Sequence, residues 1–237
     1  MKKALKIVVL AKQVPDTRNV GKDAMTPEGT VNRAALPAIF NPEDLNALEM
    51  ALALKDETEG STVHILTMGP PRAADIIRDA MFRGADGGYL LTDRKFAGAD
   101  TLATSYALSC ALRKIRPDVI VAGRQAIDGD TAQVGPQVAE KLGWPQVTYA
   151  EELLEIKADS LVVKRRLEHG TEIVECPLPL VMTVNGSAPE CRPQNAKRVM
   201  KYKFAQTKSE IAAAPDCMAS AMASAKLPII VIRPSYR

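Results

Sequence analysis

The chain is poor in the residues that build metal centres and catalytic clusters. It has two histidines, His64 and His169, and four cysteines, Cys110, Cys176, Cys191 and Cys217, with no C-x-x-C pair among them. Structural zinc sites need tighter clusters of these ligands, so no metal is expected, and isolated thiols fit a reducing, cytoplasmic setting. Aromatic residues are only 4% of the 237 positions and the formal net charge is only +3. Neither the stacking platforms nor the basic stripe of a nucleic-acid binder is therefore present. No apolar run approaches the about 18 residues that a membrane span needs. The opening "MKKALKIVVLAK" has a basic tip, but Lys6 and Lys12 interrupt it and no small-residue cleavage site follows. A first core strand is expected there in place of a signal peptide. No triad or paired-carboxylate arrangement is visible either. His64 falls inside an apolar run and reads as a core histidine, His169 sits in a turn exposed to water, and Cys110 lies on the apolar face of a helix.

What is present is alternation. With 46% hydrophobic and 25% charged residues the chain can bury one good core. Short apolar runs at 5–11, 62–68, 88–92 and 118–122 read as buried strands, separated by amphipathic helices at 41–57, 72–86 and 99–115. This is the rhythm of βαβ units and predicts an α/β fold with a mostly parallel sheet. The helix at 41–57 has Asn41 as its expected cap, Pro42 at the first helical position, acids in the first turn, and Leu45, Leu48 and Leu52 on one face. Residues 160–176 alternate across a turn at His169 and Gly170 and read as a β-hairpin, followed by a strand at 178–184. The Ala/Ser/Met-rich tail matches no pattern. Residues 1–190 are thus expected as one α/β domain that includes the hairpin, and 191–237 as an appendage.

Four expected strands end in loops rich in Gly, Pro and Asp: "AKQVPDT", "MGPP", "DRKFAGADT" and "GRQAIDGDT". The carboxyl ends of parallel strands open onto one crevice, where free amides at a helix start attract phosphate. A nucleotide site is the expectation. The two aspartates of "DGDTAQ" admit two readings. Asp130 and Gln133 have capping-box spacing; alternatively, Asp128 and Asp130 shape a loop whose Gly129 and Thr131 amides meet a phosphate. Pro136 leaves the start of that helix open. The long 13–40 segment is expected to be functional or to meet a partner.

"KQVPDT" (12–17), "NPED" (41–44), "MGPP" (68–71), "RGAD" (83–86), "DRKFAGADTLATS" (93–105) and "GRQAIDGDTAQVGP" (123–136) occur in this order. Together with the hairpin stretch 163–186, they resemble the β subunit of an electron-transfer flavoprotein from residue 5 to about 203. "KQVPDT", "MGPP" and "GADTLATS" are similar to the electron-bifurcating, nitrogen-fixation-associated branch. The resemblance implies a Rossmann-like, mostly parallel sheet with helices on both faces, plus a β-hairpin and a C-terminal arm. It also implies a heterodimer with an α subunit that carries its own flavin.

In the bifurcating branch the cofactor is FAD, with NADH as hydride donor and ferredoxin or flavodoxin as low-potential acceptor. In the other branch the β subunit holds AMP as a structural ligand. An acyl-CoA-type dehydrogenase or a quinone-linked oxidoreductase is the implied redox partner. Carried onto this sequence, adenine and ribose would meet Leu10, Ala11, Asn41 and Met68. The phosphates would meet Asp128, Gly129, Asp130, Thr131, Gln133 and Val134, and Asp100, Thr101 and Thr104 would line the flavin part. The stretch 192–203 resembles the family's partner-recognition loop, with Ala196, Val199 and Met200 as apolar contacts and Lys197, Arg198, Lys201 and Lys203 at its rim. A stand-alone adenine-nucleotide-binding regulatory domain is the alternative from another class.

Overall fold

The structure, a computed structural model, describes residues 3–16, 37–207 and 229–232. Most of the expected 13–40 loop, the Ala/Ser/Met tract and Cys217 lie outside them. β1 (Lys6–Leu10) is an interior strand of the main sheet: Ile7 and Val9 enter the core on one face of the sheet and Val8 and Leu10 the core on the other. A strand buried on both faces has no polar side, and so its sequence is a continuous apolar run. β2 (Gln13–Pro15) and β3 (Ala38–Phe40) pair antiparallel as a small ribbon inside the segment expected to be loop.

α1 (Pro42–Asp56) starts with Pro42, whose missing N–H is no loss at a helix N-terminus, and packs Leu48 and Leu52 against the sheet. β4 (Thr62–Met68) follows, then a 3₁₀ turn at Pro71–Ala73, α2 (Ala74–Arg83), β5 (Gly87–Leu91), α3 (Thr101–Ile115) and β6 (Val119–Gly123). α1 and α2 cover one face. α3 and α4 (Val134–Leu142) cover the other.

β7 (Gln146–Ile156), β8 (Ser160–Leu167), β9 (Gly170–Pro177), β10 (Leu180–Val184), α5 (Ala196–Tyr202) and β11 (Ile229–Ile232) complete the described elements. The main sheet has the order β11-β5-β4-β1-β6-β10-β7-β8-β9, parallel except where β8 pairs with β7 and β9. The α/β architecture is therefore the expected one, with the hairpin formed by β8 and β9.

β7 and β11 were not expected. β7 carries two register shifts against β8, between Ala150 and Glu152 and between Leu153 and Glu155. Each bulge resets the in-out phase, so the sequence of this long strand shows no alternation and its Glu and Leu residues mimic a helix. β11 adds a parallel edge strand beside β5, with Ile229 buried.

α5 is fixed to α2, and the segment that precedes it to α1. Asn195 caps it by accepting from the Lys197 and Arg198 amides. Arg198, expected at an exposed rim, instead donates to the Met81 and Ala85 carbonyls at the end of α2. Arg192 binds Glu49 with Nε and a terminal nitrogen, and Asp56 with the other. Burial disfavours the charged form of Glu49, but the Arg192 hydrogen bonds and charge outweigh it and lower the pKa. Among the described residues no helix is long and apolar enough to cross a membrane.

Candidate functional site

β1 pairs with β4 on one side and with β6 on the other. The chain leaves β1 toward α1 and leaves β6 toward α4, on opposite faces, so the carboxyl ends of these neighbours are forced apart. That divergence is the crevice where open α/β sheets take ligands. A cavity of about 420 Å³ lies there. Its floor is Leu10, Ala11, Leu66, Met68 and Ala122, and its walls are the start of α3 and the loop from Arg124 to Gly135.

Of the expected site residues, Leu10, Ala11, Met68, Asp100, Thr101, Thr104, Gly129, Asp130, Thr131, Gln133 and Val134 converge on this cavity. Asp128 lies against a smaller neighbouring cavity of about 190 Å³ that shares Lys12 and Met68 with the first, and its carboxylate meets Lys12 Nζ at 2.7 Å. Asn41 lines neither cavity. It is wholly buried, its Nδ2 donating to the Gln125 carbonyl at 2.8 Å and its Oδ1 accepting from the Ile127 amide at 3.1 Å. It occupies the cap position of α1 without capping it.

The capping-box reading of Asp130 and Gln133 does not hold. α4 begins at Val134, and Asp130 lies four residues upstream in the left-handed region, φ 46°, accepting from Gln125 Nε2 at 2.9 Å. Gln133 Oε1 instead accepts from Thr101 Oγ1 at 2.9 Å, tying α3 to α4 across the cavity. Pro136 is the third residue of α4, where an amide has no helical partner to lose. Asp100, not Asp130, is the side-chain cap in this site, accepting from the Ala103 amide at 2.7 Å at the start of α3.

The amides of Thr131, Ala132 and Gln133 make no hydrogen bond among the described residues. Asp130 and Ala132 both have positive φ, 46° and 52°. A left-handed residue followed by a right-handed one, as Ala132 is by Gln133, is the backbone pattern of an anion-binding nest, here just before the positive end of α4.

Glu43 and Asp44 were not among the site residues singled out, although "NPED" contains them. Glu43 accepts from the Arg124 guanidinium, from Nε at 3.2 Å and a terminal nitrogen at 2.8 Å, and from the Gln125 amide at 2.9 Å. Asp44 accepts from the Lys12 amide at 2.8 Å and the Gly123 amide at 3.1 Å, bridging the ends of β1 and β6. Burial pushes its pKa up to about 7 against these donors. The signal available in sequence was two consecutive acids after a helix-starting Pro, which reads equally well as a response to the helix dipole. Among the described residues no group of three or more His, Cys, Asp or Glu side chains gathers to hold a metal. Burial lowers the His64 pKa, and its ring lies 5.7 Å from that of Tyr89, away from the cavity.

The electron transfer flavoprotein domain family matches residues 28–231, most of the chain. The chain belongs to the electron transfer flavoprotein β-subunit family. It is 50% identical over 179 residues to the electron transfer flavoprotein subunit beta of Clostridium acetobutylicum, covering 76% of this chain and 68% of that one. With the caffeyl-CoA reductase-Etf complex subunit CarD of Acetobacterium woodii it shares 49% identity over 180 residues, with the same coverage. With Protein FixA of Azorhizobium caulinodans it shares 47% over 193 residues, 78% of this chain and 68% of the relative. The presence of these relatives is consistent with the bifurcating, FixA-like branch.

Proposed function

We propose that this chain is the β subunit of a heterodimeric electron transfer flavoprotein that binds FAD in the strand-end cavity. It takes a hydride from NADH and passes electrons to the flavin of an α subunit and to a low-potential acceptor. The observation that carries the reading is the run of amides without a partner among the described residues at Thr131, Ala132 and Gln133, residues that line the cavity beside the α4 N-terminus. Such a donor set suits a phosphate and has no other evident use.

The residues present fit the group. Leu10, Ala11, Leu66 and Met68 offer apolar surface to an adenine, the 131–133 amides suit the diphosphate, and Thr101 and Thr104 line the same cavity. The bound flavin supplies hydride acceptance and one-electron transfer. The chain holds and orients; no acid or base of its own is needed. α5 is the proposed docking element for an acyl-CoA-type redox partner, a reading supported by the name of the caffeyl-CoA reductase complex. Ala196, Lys197 and Met200 are exposed on it and Val199 is half-buried.

The test is the flavin and AMP content of the chain co-expressed with its α subunit. Two FAD and no AMP per heterodimer is the expected result. One FAD with one AMP would make this chain a scaffold, and neither FAD nor AMP on the β subunit would remove the site.

A further inference from the structure

We infer that the first turn of α1 is the template of the nucleotide loop: Asn41, Glu43 and Asp44 hold residues 123–127 in their receiving shape before any ligand arrives. The inference rests on the nucleotide site proposed above and assigns these three as positioning residues, not ligand contacts. Asn41 reaches the Gln125 carbonyl and the Ile127 amide, Glu43 the Gln125 amide and the Arg124 side chain, and Asp44 the Gly123 amide. Three polar side chains from one helical turn thus satisfy successive groups of a single loop.

Two features separate this from ordinary fold stabilisation. The approach of α1 to the loop is closer than a side chain at 123 would permit, since a Cβ on Gly123 would lie 2.4 Å from Asp44 Oδ1 and 2.8 Å from the Asp44 nitrogen. The brace also stops at Ile127. Beyond it the loop adopts positive φ at Asp130 and Ala132 and leaves the amides of 131–133 unpaired. Strained, unsatisfied backbone of this sort persists only where its surroundings over-determine it, and α1 is the element that does so on the upstream side. Templating of this kind removes the cost of ordering the loop on binding, so its loss appears as weaker affinity for every ligand that uses the loop.

The test uses the full chain with its α subunit, stripped of nucleotide, with FAD and AMP as separate titrants in calorimetry. Glu43→Gln should weaken both by about tenfold, the effect of one lost charge-assisted hydrogen bond. Hydrogen exchange at the Gln125 and Ile127 amides should speed up in the nucleotide-free variant and return to wild-type protection at saturating FAD. Asn41→Ser carries the same readouts should Glu43→Gln fail to fold. Wild-type affinity in the variants, or weaker affinity with unchanged loop exchange, overturns the inference while leaving the site intact. Wild-type protein that binds neither nucleotide overturns the site and this inference together.

Discussion

Asp44 should make the stability of this protein fall as pH rises through the range in which most carboxylates contribute nothing further. Its carboxyl is fully buried, and burial pushes its pKa from the ordinary 3.8 to about 7. Between these values the folded state holds a proton that the unfolded state has released, so stability decreases with pH. The contribution is fully present below about pH 3.8, is lost progressively up to about pH 7, and is flat beyond. At about 1.4 kcal/mol per pH unit the separation amounts to roughly 4 kcal/mol. Asp44→Asn removes the titration but adds a pH-independent cost, because an amide can offer only one oxygen to the Lys12 and Gly123 N–H groups. Urea unfolding of both proteins at pH 5, 6, 7 and 8 isolates the effect. The stability difference between wild type and variant should shrink by about 1.4 kcal/mol per unit from pH 5 to 7 and then stay constant. Parallel curves would refute the assignment and mean that Asp44 is ionised throughout.

Gly123→Ala should destabilise by about 2–3 kcal/mol in denaturant unfolding, since the new methyl group meets helix backbone that has no room to move. Ala132→Gly should stabilise by about 1 kcal/mol, because φ 52° costs an alanine and not a glycine; a loss of stability would show that the methyl group packs. Burial pushes the Cys191 thiol up to about 11, so its alkylation rate should rise about tenfold per unit between pH 7 and 10, and a plateau below pH 9 would contradict that. Met200→Glu, at a side chain 68% exposed on α5, should slow electron transfer to the acyl-CoA-type partner and leave flavin content unchanged; equal rates would remove α5 from the docking surface.

The strands and helices that build the crevice were legible because each obeys one rule. β1, β4 and β6 lie inside the sheet and are largely apolar; α1 carries its proline and first-turn acids, and α3 its Asp100 cap and last-turn basic residues, where helix physics favours them. β7 was hidden because its bulges break the period that reveals a strand. The floor and walls of the cavity were found from loop composition, since strand ends in a parallel sheet must converge. The roles of Asn41 and Asp130 were not. A cap and a buried cross-link use the same residue types, and only the tertiary approach of α1 to the β6 loop decides between them.

That approach also explains why five carboxylates sit around a site proposed for an anionic ligand. Asp100 is spent on the start of α3 and Asp130 on Gln125. Glu43 is matched by Arg124, and Asp128 has Lys12 at 2.7 Å. Asp44, which also lines the cavity, is the one whose burial pushes its pKa up to about 7. Each carboxylate thus has a hydrogen-bond partner or a counter-charge within the protein before a phosphate approaches. The carboxylates of "DGD" are therefore engaged within the protein, and residues 131 to 133, which line the cavity, carry main-chain N–H groups with no partner among the described residues.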